Sequence, residues 1–139
     1  MVDHLEVAER SALMSRVRSR GNASTEVALA RLMRRSKISG WRRNQKIFGS
    51  PDFVFRAPRI AVFVDGCFWH GCPRCYATPK QNALFWTAKI SRNRSRDLKV
   101  TRHLRKEGWS VLRIWEHSMS DTEIVIGKIL RKLTNRIDR

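Results

Sequence analysis

Residues 60–64, Ile60-Ala61-Val62-Phe63-Val64, form an unbroken apolar run between Arg59 and Asp65-Gly66. A strand with one wet face alternates polar and apolar side chains. A run that is apolar at every position has to be covered on both faces, as a central strand is. The segments around it supply the cover. Ser24 is a candidate N-cap, and Glu26 falls in a first turn, where the helix dipole favours an acid. Ala28, Leu29, Leu32 and Met33 then recur at helical spacing, which predicts a helix over 25–37. Trp41 to Phe48 and Asp52 to Phe55 read as short strands on either side of a Gly49-Ser50-Pro51 turn.

Beyond Gly66, residues 82–107 read as a helix with room for a bend near Asn93. Leu98, Thr101 and Leu104 are its expected inward side, and Gly108 its stop. Trp109 to Trp115 reads as another buried strand. Ser120 with Glu123 fits a capping box for a last helix, whose stripe is Ile126, Ile129, Leu130, Leu133 and Ile137. With a short helix expected over Glu9 to Val17, the order is α-α-β-β-β-α-β-α, an α/β sheet flanked by helices. The expected organisation is an N-terminal arm, residues 1–20, and one domain over 21–139.

Charge narrows the function. The chain has 21 Arg, 8 Lys and 12 Asp plus Glu, for a net charge of +17 and a pI near 11.4. A field of that size attracts polyanions, and an Arg-rich one suits phosphate. Nucleic acid is therefore the expected partner. No apolar run approaches the roughly 18 residues of a membrane span. The polar start is unlike a signal peptide, so a cytoplasmic, nucleoid-associated protein is expected. Between Val27 and Lys106 there are 19 basic residues and three acids, Asp52, Asp65 and Asp97. Isolated acids in a basic field are structural ion pairs or, in a nuclease, the few carboxylates kept to hold a divalent cation.

Three cysteines lie within nine residues, in Cys67-Phe68-Trp69-His70-Gly71-Cys72-Pro73-Arg74-Cys75. Cys72 and Cys75 have zinc-knuckle spacing and Cys67 adds a third thiolate. A structural zinc needs a fourth ligand from His4, His70, His103 or His117. His4 lies in the arm and His103 in a charged helix. His117, just past the end of a strand, is the preferred ligand. Free or buried thiols and a redox Cys-x-x-Cys are the alternatives. Phe68, Trp69 and Trp86 accompany cations, with Lys89, Arg92, Arg96 and Lys99 on one face of the following helix. Aromatics held in such a loop can unstack a base step, or they can simply pack in the core, as Trp109 and Trp115 are expected to do.

Gly66-Cys67-Phe68-Trp69-His70-Gly71, with Pro51-Asp52 before it and Phe85-Trp86, Asn93 and Arg96-Asp97 after it, resembles the very short patch repair endonucleases. The likeness runs from about Met14 to His117. It implies a restriction-endonuclease-like fold, a central mixed β-sheet flanked by helices with a structural zinc loop. It also implies Mg²⁺-dependent nicking of double-stranded DNA 5′ to the thymine of a T:G mismatch left by deaminated 5-methylcytosine. By position, Asp52 matches the acid that binds Mg²⁺, and Val64 a residue that offers its backbone carbonyl to the metal. His70 matches the histidine beside the attacking water, and Glu26 and Asp97 match supporting acids. Phe68, Trp69 and Trp86 match the aromatics that wedge into DNA, and Met14 and Val17 the N-terminal residues that enter the other groove. A functional link to a cytosine methyltransferase and to mismatch-repair proteins comes with the likeness. A one-strand cut needs one active site, so a monomer is expected.

Two departures stand out. The zinc set reads as three Cys and one His, where another known pattern has a His within the loop and a Cys after the Trp-Glu pair. Asp65 is followed by Gly66 and Cys67, so the usual nuclease lysine is missing. Asp65 is left as a metal ligand, a turn residue or a partner for Arg59, with the turn or ion-pair reading preferred. The rivals to mismatch nicking are a sequence- or modification-dependent nickase, a non-catalytic zinc-stabilised DNA-binding module and, on charge and aromatics alone, an RNA-binding protein.

Overall fold

The computed structural model describes residues 25–137, so the arm, with Met14 and Val17, and Ser24 lie outside the described residues. Helix α1 is Glu26–Arg35. Strands β1, Trp41–Arg43, β2, Phe53–Phe55, and β3, Ile60–Asp65, follow. Helix α2 is Ala83–Lys106 and β4 is Ser110–Trp115. A 3₁₀ turn, Glu116–Ser120, leads into α3, Thr122–Ile137. The four strands form one mixed sheet in the order β1-β2-β3-β4. The first three are antiparallel neighbours, and β4 runs parallel to β3, with Phe63 opposite Arg113 and Asp65 opposite Trp115.

All six residues of β3 are buried, as the apolar run requires. Period-two alternation sorts them. Ile60, Val62 and Val64 join Phe53, Phe55 and Ile114 in a core with Leu29 and Met33 of α1 and Val125 and Ile129 of α3. Ala61 and Phe63 face the opposite way and pack with Val111 against Val100 and Leu104 of α2. The sheet is thus sandwiched, with α1 and α3 on one face and α2 on the other. The same alternation puts Asp65 and Arg113 on the α2 face, just beyond the apolar contacts.

Several local expectations need correction. The first strand stops at Arg43 because Asn44 takes a left-handed φ of 53°. Helix α2 runs unbroken through Asn93 and buries Trp86, Ile90, Val100 and Leu104. Leu98 is 57% exposed, because two residues at about 100° each turn it away from Val100. Ser120 does not cap α3. Its hydroxyl donates to the His117 carbonyl, and Asp121 instead accepts the Ile124 amide proton at 3.3 Å. Of the expected stripe of α3, Ile129 is buried and Ile126 and Leu133 pack on the core, whereas Leu130 is 47% exposed and Val125 is buried in addition. No helix of the described residues is long and apolar enough to cross a membrane.

Candidate active site

A cleft of about 660 Å³ opens at the carboxyl ends of β3 and β4, against α2. Asp52, Val64, Asp65, Trp69, His70, Lys89, Asn93, Arg96, Asp97 and Arg113 all line it. Residues far apart in sequence therefore meet where the strands stop and the backbone turns.

Asp52 sits at the entry to β2 and is fixed twice. Its amide donates to the Val62 carbonyl at 2.9 Å, and its Oδ2 accepts from the Val64 amide at 2.7 Å. Burial pushes its carboxyl up to about 7, against the Val64 hydrogen bond, and the charges of Glu26 and Asp65 push the same way. Glu26 does not line the cleft. It lies behind Asp52, 2% exposed, with Arg43 Nη2 at 3.7 Å. Both of its carboxylate oxygens are buried without a hydrogen-bond partner among the described residues. Two buried acids with so little compensation are a donor set that suits a cation.

His70 lines the same cleft, with its Nδ1 2.6 Å from Asp97 Oδ2 and 3.9 Å from Asp65 Oδ1. Burial lowers the imidazole pKa. The Asp97 hydrogen bond and the charges of Asp65 and Asp97 outweigh that and leave it above its ordinary value. Asp65, 5% exposed, is an ion-pair residue, but its partner is not Arg59. Arg113 Nη1 reaches Oδ1 and Oδ2 at 3.1 and 3.2 Å. Arg59 instead donates to the Glu107 carbonyl and lies over the Trp109 ring. Burial also pushes the Asp65 carboxyl up, opposed by His70 and Arg113. Arg113 went unnoticed in the sequence, although the period-two pattern that buries Val111 puts it on the same face.

The cysteine loop closes beside the cleft. His117 Nδ1 is 3.4 Å from Cys67 Sγ, 3.5 Å from Cys72 Sγ and 3.4 Å from Cys75 Sγ. A tetrahedral ion with bonds of about 2.3 Å to sulfur and about 2.0–2.1 Å to nitrogen needs S···N edges of about 3.5 Å. The three observed edges fit, and this cluster could hold a metal ion. Burial, with the neighbouring Cys75 and Cys72 thiols, pushes the Cys67 thiol up to about 12. Gly71 lets the loop press on α2: at its φ of +62° a Cβ would meet Ile90 Cγ2 at 2.5 Å. Glu116 ties the loop to β4 by accepting the Cys67 amide proton at 3.2 Å. His103, as expected, is exposed.

The aromatics form one cluster. Phe68 contacts Trp69, Tyr76 and Trp86, and Trp69 also contacts Trp86. Trp86 is only 8% exposed and backs the other two, whereas the adjacent Phe85 is 54% exposed. Asn93 donates to the Trp69 carbonyl at 2.8 Å and so anchors the loop to α2. Lys89 and Arg96 line the cleft, while Arg92 and Lys99 are exposed further round the helix.

The comparisons with known proteins agree with this geometry. A family model described as DNA mismatch endonuclease Vsr matches residues 2–76. The chain is 42% identical to the type II nicking enzyme V.NmeDIP of Neisseria meningitidis serogroup C, over 85% of this chain and 80% of that protein. It is 36% identical to the type II nicking enzyme V.XorIIP of Xanthomonas oryzae pv. oryzae, over 99% and 98% of the two chains. It is 34% identical to the DNA mismatch endonuclease Vsr of Escherichia coli (strain K12), over 88% of this chain and 79% of that protein. A sheet that ends in paired acids and a histidine, a Cys₃His loop beside it and this kinship make the chain a member of the Vsr family of DNA endonucleases.

Proposed function

We propose that the protein nicks one strand of duplex DNA 5′ to the thymine of a T:G mismatch, on a restriction-endonuclease-like scaffold. The observation that carries this reading is that Asp52, the His70–Asp97 pair and Trp69 of the aromatic loop line one cleft. Asp52 and the Val64 carbonyl would hold Mg²⁺, which when bound supplies charge neutralisation at the phosphate and at the leaving 3′ oxygen. The carboxyls of Glu26 and Asp65 lie near Asp52 and act on it electrostatically. The Asp97 carboxyl accepts the hydrogen bond from His70 Nδ1, so Nε2 is left to take a proton from water. The Cys67, Cys72, Cys75 and His117 cluster would hold a structural Zn²⁺, since four protein ligands leave no open position.

Lys89 and Arg96 in the cleft, with Arg92 and Lys99 beside it, supply salt-sensitive affinity for DNA phosphates. Phe68 and Trp69 are the wedge, with Trp86 as its buried support. Met14 and Val17 of the arm would meet the other groove. Unstacking a base step costs least at a mispair, and that difference gives mismatch preference. Trp69→Ala is accordingly expected to reduce the preference for T:G over matched duplex more than it reduces affinity, as read by parallel nicking and binding titrations. Equal losses on both duplexes would remove the wedge.

The function itself is tested by a strand-specific nicking assay on duplexes with T:G, other mismatches and matched controls, with Mg²⁺ or EDTA. Mg²⁺-dependent cutting of the T strand alone is expected. Its rate should fall as pH drops through an apparent pKa above 6.5, since His70 is held above its ordinary value and accepts a proton only when neutral. Cutting of matched or modified duplex instead would move the function to a sequence- or modification-dependent nickase. The type II nicking enzymes among the relatives give that second reading its support.

A further inference from the structure

Arg113 is held by several partners in the cleft, and it stands on none of the motifs above. Its guanidinium binds both oxygens of Asp65 at the end of β3. On α2 its Nη2 donates to the Asp97 carbonyl at 3.2 Å, and its Nε donates to Thr101 Oγ1 at 2.9 Å. Nη1 lies 3.9 Å from Asp97 Oδ1. Beneath it, Phe63 presents its ring at 4.1 Å. The planar donor fork is thus used on two elements at once, which a lysine could not reproduce.

The place it occupies is informative. One ligand atom from each of Asp65, His70 and Asp97 lies within 4.8 Å of the others, close enough to share a metal ion. The guanidinium already sits against both carboxylates, so the positive charge there is built in. It also grips the backbone of the residue whose side chain holds His70 Nδ1. We propose that Arg113 is a positioning residue for catalysis: anchored on Asp65, it fixes the segment of α2 that carries Asp97, and so holds His70 in one tautomer and one orientation. This rests on the role given to His70 above.

The test compares Arg113→Met, Arg113→Lys and the double variant Asp65→Asn with Arg113→Met, with His70→Ala alongside. Single-turnover nicking, duplex binding, thermal melting and ¹⁵N shifts of the His70 ring are read for each. Arg113→Met is expected to lose about 10–100-fold in kcat, the usual cost of an orienting partner, with KM and binding nearly unchanged. Arg113→Lys should keep part of the rate, because it keeps the charge and loses the fork. The double variant removes the buried Asp65 charge together with its partner, so it should recover stability without recovering kcat. Its His70 ring should show averaged tautomers where the parent shows one. If kcat returns together with stability in the double variant, or if the ring signature never changes, Arg113 is a structural counter-ion and the proposal fails. Full activity in His70→Ala would overturn both this proposal and the reading of the site. An inactive His70→Ala with a fully active Arg113→Met would overturn this one alone.

Discussion

Asp52→Asn is expected to cut nicking by at least about 10³-fold, some 4 kcal/mol in the barrier, while duplex binding survives. The same change should make the metal-free protein more stable at pH 8. The sign follows from burial. Asp52 titrates near 7 in the fold, against an ordinary value of 3.8. An acid whose pKa is raised by folding is neutral in both states below 3.8 and costs nothing there. As pH rises from 3.8 to 7 the unfolded chain releases its proton first, so stability falls, by up to about 4 kcal/mol above pH 7. Asparagine keeps the shape and removes that penalty. Mg²⁺ should raise the melting temperature of the parent at pH 8 and leave that of the variant unchanged. A variant that still nicks with Mg²⁺, or that melts lower than the parent in EDTA at pH 8, would end the assignment.

Loss of the ion from the Cys₃His cluster is the second large effect expected. An ion held there would join Cys67, just after β3, to His117, just after β4, and so close a loop of about fifty residues that contains all of α2. On the chain-entropy estimate a cross-link of that span contributes about 4 kcal/mol. Cys72→Ser, or prolonged chelation, should lower the melting temperature by roughly 10–15 °C. Nicking should fall with it, because the same loop carries Trp69 and His70. Metal analysis should find about one zinc per chain in the parent. A Cys72→Ser protein that melts and nicks like the parent would show that the cluster holds no structural ion.

The sequence exposes the parts of the fold that depend on one segment at a time. The apolar run of β3, the helical spacing of α1 and the Gly108 stop each carry their own physics, and each element forms within a few residues of its expected place. The four converging ligands were legible because thiols and imidazoles in this spacing have few other uses. Asp52 and Asp97 stand out as isolated acids in a basic field, but the roles of His70 and of Asp97 beside it became visible only through the family likeness. Their meeting depends on how α2 crosses the sheet, which no local pattern encodes. The isolation of Asp65 points to an ion pair, but its partner, Arg113 rather than Arg59, is set by register across a parallel pair, which is a tertiary property. The inward face of α3 is legible at Ile126, Ile129 and Leu133, which pack on the core, but not at Leu130, which is exposed, or at Val125, which the spacing leaves out and the core buries.

Trp69 and His70 are consecutive residues in a loop gripped by α2 and by the cysteine cluster. On the proposed reading the molecule is a ruler of fixed length: the residue that senses the lesion and the residue that opens the backbone cannot drift apart. Such a ruler should always cut at a fixed offset from the disturbed step, whatever bases flank it. Lengthening the loop by one residue should therefore silence the enzyme rather than move the cut along the strand.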